Sequence, residues 1–467
     1  MLHTKRKNHD ARNAAVVEDV FAPTDLTAQM PKYKLPEFEH DPRQVYQLIV
    51  DELMLDGNAR QNLASFCGTW EEPEVHHLLD VSLGKNMIDK DEYPQTAEIE
   101  ARCVHILADL WHSPRAADTI GTSTTGSSEA AMLSGLALKW RWRRHRQTAG
   151  QSIERPNLVS GPVQVCWHKF ARYFDVELRE IPMKPGQYVA HPEDVLARCD
   201  DNTIGVVTTL GTTFTGHNEP VAAICAALDQ YQTQTGRDIP VHVDAASGGF
   251  VAPFLDPDLV WDFTLPRVQS INASGHKYGL APLGVGWVIW REKTSLPEDL
   301  VFRVNYLGGE MSTFGLSFSR PGGQVIAQYY KLLRLGREGY RKVMAGLRET
   351  AAYLADEIGG LGPFEILHDG REGLPVVAWA LRPDVASGFN LFDLSNQLRT
   401  TGWQVPAYTL LPDISDLAVQ RIVVRHGFDR DMAALFLNDL RRSVAYFDAH
   451  PVTASLQPEE AQSFNHS

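Results

Sequence analysis

Cysteine is scarce in this chain of 467 residues, and the five present, Cys67, Cys103, Cys166, Cys199 and Cys225, are odd in number and scattered. A disulfide framework or a cysteine-based zinc site needs paired spacings that are missing here, so a reducing compartment fits. Long apolar runs are missing too: no uncharged stretch approaches the roughly 18 residues of a spanning helix. The first twenty residues carry charge but no apolar core of the kind a secretory leader has, and the expectation is a cytoplasmic protein. Positive charge is in deficit, with 44 Lys and Arg against 58 Asp and Glu for a net −14. That balance promotes solubility and argues against a general binder of polyanions such as nucleic acid. No internal repeat or low-complexity tract is evident. His76, His77, His105 and His112 match no metal-ligand spacing, so no metal is expected.

What is present is the composition of a globular protein, 43% hydrophobic and 22% charged, long enough for two compact lobes. The polar, proline-punctuated opening reads as an N-terminal arm over residues 1–60. Helical periods follow in Ile99, Cys103, Ile106, Leu107 and Leu110, and again from Ala130 to Trp142. Short β-branched runs then alternate with helices: Ile204 to Thr209, a helix from Val221 to Tyr231, Ile239 to Val243, and Val268 to Ile271. That alternation predicts an α/β fold with a mainly parallel sheet, here a large domain over 61–345. A long helical pattern from Gly323 to Gly359 connects it to a smaller C-terminal α/β domain over 346–450, with strands Val376 to Leu381 and Val419 to Val424 and helices Leu391 to Leu398 and Met432 to Phe447. Residues 451–467 form a loose polar tail. One stretch, Lys139 to Arg146, interleaves tryptophan with cations. It reads either as a regulatory or nucleic-acid site or as the basic end of an amphipathic helix, where cations suit the negative end of the dipole.

Four segments carry chemistry. An apolar run enters Ser270-Ile-Asn-Ala-Ser-Gly-His276-Lys277, placing a lysine after small residues that leave room for a planar ring. A lysine after a strand is most often a solvated cation, but this setting also suits imine formation with a cofactor aldehyde. The strand Ile239 to Val243 ends at Asp244, which could cap a turn, bind a metal, or hold a pyridine nitrogen protonated. Gly121 to Glu129, rich in glycine and hydroxyls and directly before a helix, is either an ordinary N-capped loop or a phosphate cradle. His168, between cradle and aspartate, is either structural or a ring that stacks on a cofactor. Thr208 to Gly216 follows another strand and could add a hydroxyl. Phosphate loop, histidine, strand-end aspartate and lysine occur in the order expected of one pyridoxal 5'-phosphate pocket, and the order favours the cofactor reading of each.

At these residues the chain resembles the pyridoxal-dependent group II decarboxylases, and within them the glutamate decarboxylases of bacterial acid resistance. The resemblance covers residues 45 to 450 and is carried by Leu55 to Phe66, Asn86 to Tyr93, Gly161 to Tyr173, His242 to Phe250 and Ser274 to Trp290. It implies the aminotransferase type I fold, a site completed across a homodimer or homohexamer, and conversion of L-glutamate to 4-aminobutyrate and CO2 with a proton consumed. The alternative is a pyridoxal-dependent decarboxylase or lyase acting on another amino acid or amino alcohol. The resemblance further implies that Ser127 and Ser128 bind phosphate, His168 stacks, Thr213 and His276 contact the cofactor, Asp244 pairs with the pyridinium and Lys277 forms the imine. For the substrate it implies Ser65 and Asn86 at the distal carboxylate, Phe66, Asp89 and Gln164 nearby, and Arg425 at the α-carboxyl group. Ser65 stands where the family is expected to have threonine, which keeps a hydroxyl and loses a methyl. His466 matches a tail histidine that closes the site near neutral pH. Peripheral membrane association at acidic pH accompanies that family's cytoplasmic location. The tryptophan-bearing basic C-terminus of the plant calmodulin-binding relatives is not found here, so calmodulin is not an expected partner.

Overall fold

The computed structural model describes residues 32–306, 308–385, 387–410, 414, 416–457 and 460. They fall into two units that divide after Asn58. In the first, helix α1 (Pro42–Leu53) starts at Asp41, whose carboxylate accepts from the amides of Arg43 and Gln44. Proline in the first turn loses no intrahelical bond there, because that amide would have no acceptor. No residue of α1 is buried.

The second unit, from Ala59 onward, holds the chemistry. Its large sheet has seven strands in the order β1 (Ile120–Thr124), β7 (Gly286–Trp290), β6 (Val268–Ala273), β5 (Val241–Asp244), β4 (Thr203–Thr209), β2 (Asn157–Ser160), β3 (Glu177–Glu180). Only β7 runs against the rest. Every residue of β2, β4, β5 and β7 is buried. Continuous apolar or small residues without alternation are what a sheet covered on both faces requires. Helices α2 (Pro94–Leu110), α3 (Ser127–Thr148), α4 (Val165–Tyr173) and α5 (Val221–Thr235) accompany it. The basic stripe is the C-terminal half of α3. There Arg144 pairs with Asp299, while Arg146 donates to the carbonyls of Ser152 and Asp201. These two cations are spent on the protein's own acceptors, and Arg143 stacks over the Trp140 ring.

Helix α6 (Gly323–Gly359) is long, packs on α2, and is interrupted at Gly336, whose φ of +57° and ψ of −174° lie where only glycine sits without strain. It leads to a second sheet in the order β10 (Phe364–His368), β11 (Val376–Leu381), β13 (Ala418–Val423), β12 (Ala407–Thr409). All its pairings are antiparallel. Helices α7 (Leu391–Arg399) and α8 (Arg430–Ala449) belong to the same region, with α7 fixed at its start by a reciprocal Asn390–Asp393 capping box. A short ribbon pairs β8 (Phe302–Val304) with β9 (Met311–Thr313). Among the described residues no helix is long and apolar enough to cross a membrane.

Candidate active site

In an open parallel sheet, side chains and loops converge beyond the carboxyl ends of the strands, where the backbone leaves a crevice. Here that crevice is a cavity of about 470 Å3, within the range of small-molecule sites. Its wall takes Thr125 to Glu129 from beyond β1, Thr209 from the end of β4 with Gly211 and Thr213 beyond it, Asp244 from the end of β5 with Ala246 and Ser247 beyond it, and Ser274, His276 and Lys277 from beyond β6.

One end is built for an anion. Helix α3 begins at Ser127, and first-turn amides have no intrahelical acceptor, which gives a helix start its affinity for negative charge. The carboxylate of Glu129 reaches back to the amide and hydroxyl of Thr125 at 2.8 and 3.0 Å, fixing the entry to the helix as a capping box does. Ser127 Oγ lies 2.6 Å from Ser274 Oγ, joining the loops after β1 and β6. This loop lies directly on β7. A Cβ placed on Gly286 would fall 2.5 Å from the carbonyl carbon of Gly126, so the close approach needs glycine. His276 Nδ1 accepts from the amides of Gly284 and Val285 at 3.4 and 3.2 Å. Because that nitrogen is an acceptor, the proton of the neutral ring sits on Nε2. Burial, with Lys277 adding to it, pushes the His276 pKa down to about 4, so the ring is neutral near pH 7.

The other end holds Asp244, which is buried. Its Oδ2 accepts from Trp167 Nε1 at 2.8 Å, and its Oδ1 accepts from Asn272 Nδ2 at 3.0 Å and the Ala246 amide at 3.1 Å. Between the two ends, Lys277 Nζ stands 3.3 Å from Ser247 Oγ and 4.9 Å from the centre of the Phe66 ring. Burial pushes the lysine's pKa down, with Asp244 opposing. A lysine so placed has a larger neutral, nucleophilic fraction than a solvated one. An anion cradle, a carboxylate and an amine between them fit pyridoxal phosphate, whose phosphate, ring nitrogen and aldehyde make those three demands.

The open side is formed by Ala64, Ser65, Phe66, Gln164, Cys166 and Arg421. Arg421 donates from Nη2 to the Ala64 carbonyl at 3.0 Å, and its guanidinium carbon is 4.9 Å from the Phe66 ring centre. Its Nε is buried, with no hydrogen-bond partner among the described residues.

Of the residues expected from sequence, Ser65, Phe66, Ser127, Ser128, Gln164, Thr213, Asp244, His276 and Lys277 line this one cavity. Four are not brought to it. The short helix α4 buries Cys166, Trp167, Phe170 and Ala171, which turns His168 to the opposite face. There its Nε2 lies 3.3 Å from Glu180. Gln164, at the start of the same helix, is at the cavity instead. Arg425 is fully buried among backbone carbonyls, and Arg421 occupies the cavity wall in its place. Asn86 bonds Ser319 and the amide of Arg320, and Asp89 caps the amide of Glu92. His466 lies outside the described residues.

Sequence reasoning missed Arg421, Ser247, Ser274, Trp167, His242 and Asn272. A usable signal existed for Arg421 alone, since a cation inside the apolar strand Ala418–Val423 is costly unless it is paired or functional. A larger cleft of about 1030 Å3 lies beside His217 and His368. None of the expected site residues lines it, and its Arg371 is paired with Asp356 and Asp369.

Comparisons with known proteins agree with this geometry. Residues 31–382 match the model of the pyridoxal-dependent decarboxylase conserved domain. A glutamate decarboxylase of Aliivibrio fischeri is 60% identical over 465 residues, covering 100% of this chain and 99% of that protein. A glutamate decarboxylase of Solanum lycopersicum is 48% identical over 92% of this chain and 86% of its own length. The structure of the Lactobacillus brevis glutamate decarboxylase superposes with a TM-score of 0.89 at 45% identity, covering 93% of this chain and 99% of that one. A sphingosine-1-phosphate lyase of Burkholderia pseudomallei, 22% identical with a TM-score of 0.74, shares the fold. The cradle, the strand-end aspartate and the enclosed lysine are what a pyridoxal phosphate enzyme requires, and the chain belongs to the pyridoxal-dependent decarboxylase family.

Proposed function

We propose that this enzyme removes the α-carboxyl group of L-glutamate as CO2 and leaves 4-aminobutyrate. The reading is carried by the cavity wall of Arg421, Ser65 and Phe66 facing Lys277, in a chain 60% identical along its length to a protein named glutamate decarboxylase. Bound pyridoxal phosphate supplies a conjugated sink for the electron pair left when the carbon–carbon bond breaks. Ser127, Ser128, Ser274 and the Nε2 proton of His276 would hold its phosphate, Asp244 would keep its ring nitrogen protonated, and Lys277 would hold its aldehyde end. Arg421 would orient the α-carboxylate, as a guanidinium matches a carboxylate in two-point geometry. Its unpartnered Nε is a donor in want of such an acceptor. The Ser65 hydroxyl would receive the distal carboxylate, and the Phe66 ring would keep water from the reacting carbon.

Loss of CO2 is balanced by one proton delivered to Cα, so each turnover at neutral pH consumes a proton. That stoichiometry suits a role in acid resistance, in a cytoplasm where five unpaired cysteines would persist. Asn86 and Asp89, which are off their own chain's cavity, suit a site completed by a second copy in a homodimer or larger homo-oligomer. The test is to incubate the purified protein with L-glutamate and measure CO2, 4-aminobutyrate and the visible cofactor band. Lys277→Ala should lose both band and product. Full turnover by that variant, or no product from the parent protein, would overturn the reading.

A further inference from the structure

The segment from Ala59 to Thr69 carries two cavity residues, yet it is held by the small sheet. The Leu63 amide donates to the Gln404 carbonyl at 2.9 Å, the Gln404 amide to Gln61 at 2.9 Å, and the Val423 amide to Leu63 at 2.8 Å. Further on, the Thr69 amide donates to His426 at 3.1 Å. Between Leu63 and Thr69 the backbone leaves this ladder to present Ser65 and Phe66 to the cavity. Two arginine side chains take up carbonyls in that gap. Arg421 binds the carbonyl of Ala64, and Arg425 binds that of Cys67 from Nε at 2.7 Å. Arg425 also binds the carbonyl of Ala59 from Nη2 at 2.7 Å, so one planar guanidinium bridges both ends of the segment.

Arg425 is only 1% exposed, and its Nη1 is buried with no partner among the described residues. Among the described residues no carboxylate pairs with it in a salt bridge. A buried cation satisfied by carbonyls alone costs stability relative to an apolar side chain of similar size, so what Arg425 contributes here is geometry. The neighbouring contacts say which geometry. The hydroxyl of Tyr278, next to Lys277, donates to the Val424 carbonyl at 3.2 Å, and the Tyr278 ring meets Phe66 edge-on at 6.3 Å. The lysine loop, the end of β13 and the segment bearing Ser65 thus meet within a few residues of Arg425.

We propose that Arg425 is a positioning residue: it clamps Ala59 and Cys67 so that Ser65 and Phe66 stay in register with Arg421 and Lys277, fixing the seat for the substrate side chain. The proposal rests on reading this cavity as the substrate site. It departs from the sequence expectation, because Arg425 acts through the backbone of another segment and touches no substrate.

The test compares holoenzyme and its Arg425→Lys variant, which keeps the charge but cannot span both carbonyls, by steady-state kinetics and by amide exchange. We expect KM for glutamate to rise by about tenfold or more with kcat within about threefold, the pattern of lost positioning in binding. Cofactor affinity should be unchanged, and amides of 59–69 should exchange faster while those of 121–128 do not. An unchanged KM in a folded variant overturns the proposal. So does a raised KM without loosening of 59–69, since Arg425 would then meet the substrate itself. If the variant does not fold, exchange in the parent enzyme decides: protection of 59–69 matching that of β13 supports the clamp, and rapid exchange there overturns it. Failure of the parent to turn over glutamate would instead sink the substrate reading.

Discussion

Asp244 is the end of a chain of hydrogen bonds whose direction is fixed by chemistry. A carboxylate only accepts, so the amide of Asn272 must turn Nδ2 toward it. That leaves Asn272 Oδ1, also only an acceptor, 2.7 Å from His242 Nε2, which must therefore carry the ring proton. Burial pushes the His242 pKa down to about 4, so the ring is neutral and Nδ1 accepts from Ser270 Oγ at 2.8 Å. Every donor in Ser270, His242 and Asn272 points toward Asp244. Aligned hydrogen bonds polarise one another, and the series holds the carboxylate oriented. Asn272→Leu keeps the volume but takes a donor from Asp244 and leaves the His242 proton buried without an acceptor. An unsatisfied buried donor costs about 1–3 kcal/mol. The variant is expected to unfold at lower denaturant concentration and to bind pyridoxal phosphate more weakly, with a displaced visible band. Unchanged stability and an unchanged spectrum would show that the relay has no such role.

At the scale of elements, the parallel strands were legible because their residues combine β-branching with continuous apolarity, and because β4, β5 and β6 each lead into the small or polar residues that line the cavity. The long connector was legible from its period, which the kink at Gly336 does not interrupt. Two features were not legible. The second sheet is antiparallel throughout, and its strand runs carry no sign of direction. Nor could strand alternation choose the cavity arginine. Arg421 and Arg425 share the parity that places strand residues on one face, but the strand ends at Val423, and beyond that point alternation no longer predicts where a side chain points. His168 was misplaced for a related reason, since a nine-residue helix gives too few apolar positions to fix its phase. The contact between the cradle loop and β7 also depends on an element pairing that no local pattern displays. Its consequence is testable at Gly286. A Cβ there would lie 2.5 Å from Gly126 C and 2.8 Å from Ser127 N, both backbone atoms that cannot rotate away. Gly286→Ala should displace the start of α3, cost about 1–3 kcal/mol as overpacking does, and weaken cofactor binding. Undiminished cofactor affinity in this variant would mean that the cradle tolerates the shift.

Across the whole molecule, folding buries several groups that resist their usual charge, and they pull stability in opposite directions with pH. His217, His242 and His276 are each pushed from 6.5 down to about 4, first of all by burial. Between those values the unfolded chain binds protons that the folded one does not, so each makes stability rise with pH across that window. Glu219 does the reverse. Its carboxyl accepts from the amides of Ala190 at 3.0 Å and Thr209 at 2.6 Å, joining the strand that leads to Thr213 with the segment before residue 192. Burial raises its pKa from 4.5 to about 7 despite those two donors. From pH 4.5 to 7 the folded chain keeps a proton that the unfolded chain has lost, so this group's contribution falls as pH rises, by roughly 3 kcal/mol over the window. Glu219→Gln removes the titration. It also lowers the baseline, because its amide nitrogen cannot accept from the second backbone N–H. The stability advantage of the parent over Glu219→Gln, measured by denaturant unfolding at intervals between pH 4.5 and 7, should therefore shrink steadily as pH rises. The variant's own curve should climb more steeply, since one of the contributions that oppose the histidines is gone; the raised carboxyls of Glu71 and Glu180 remain in both proteins. Parallel curves for the two proteins would show that Glu219 is ionised throughout and that its two backbone donors outweigh its burial.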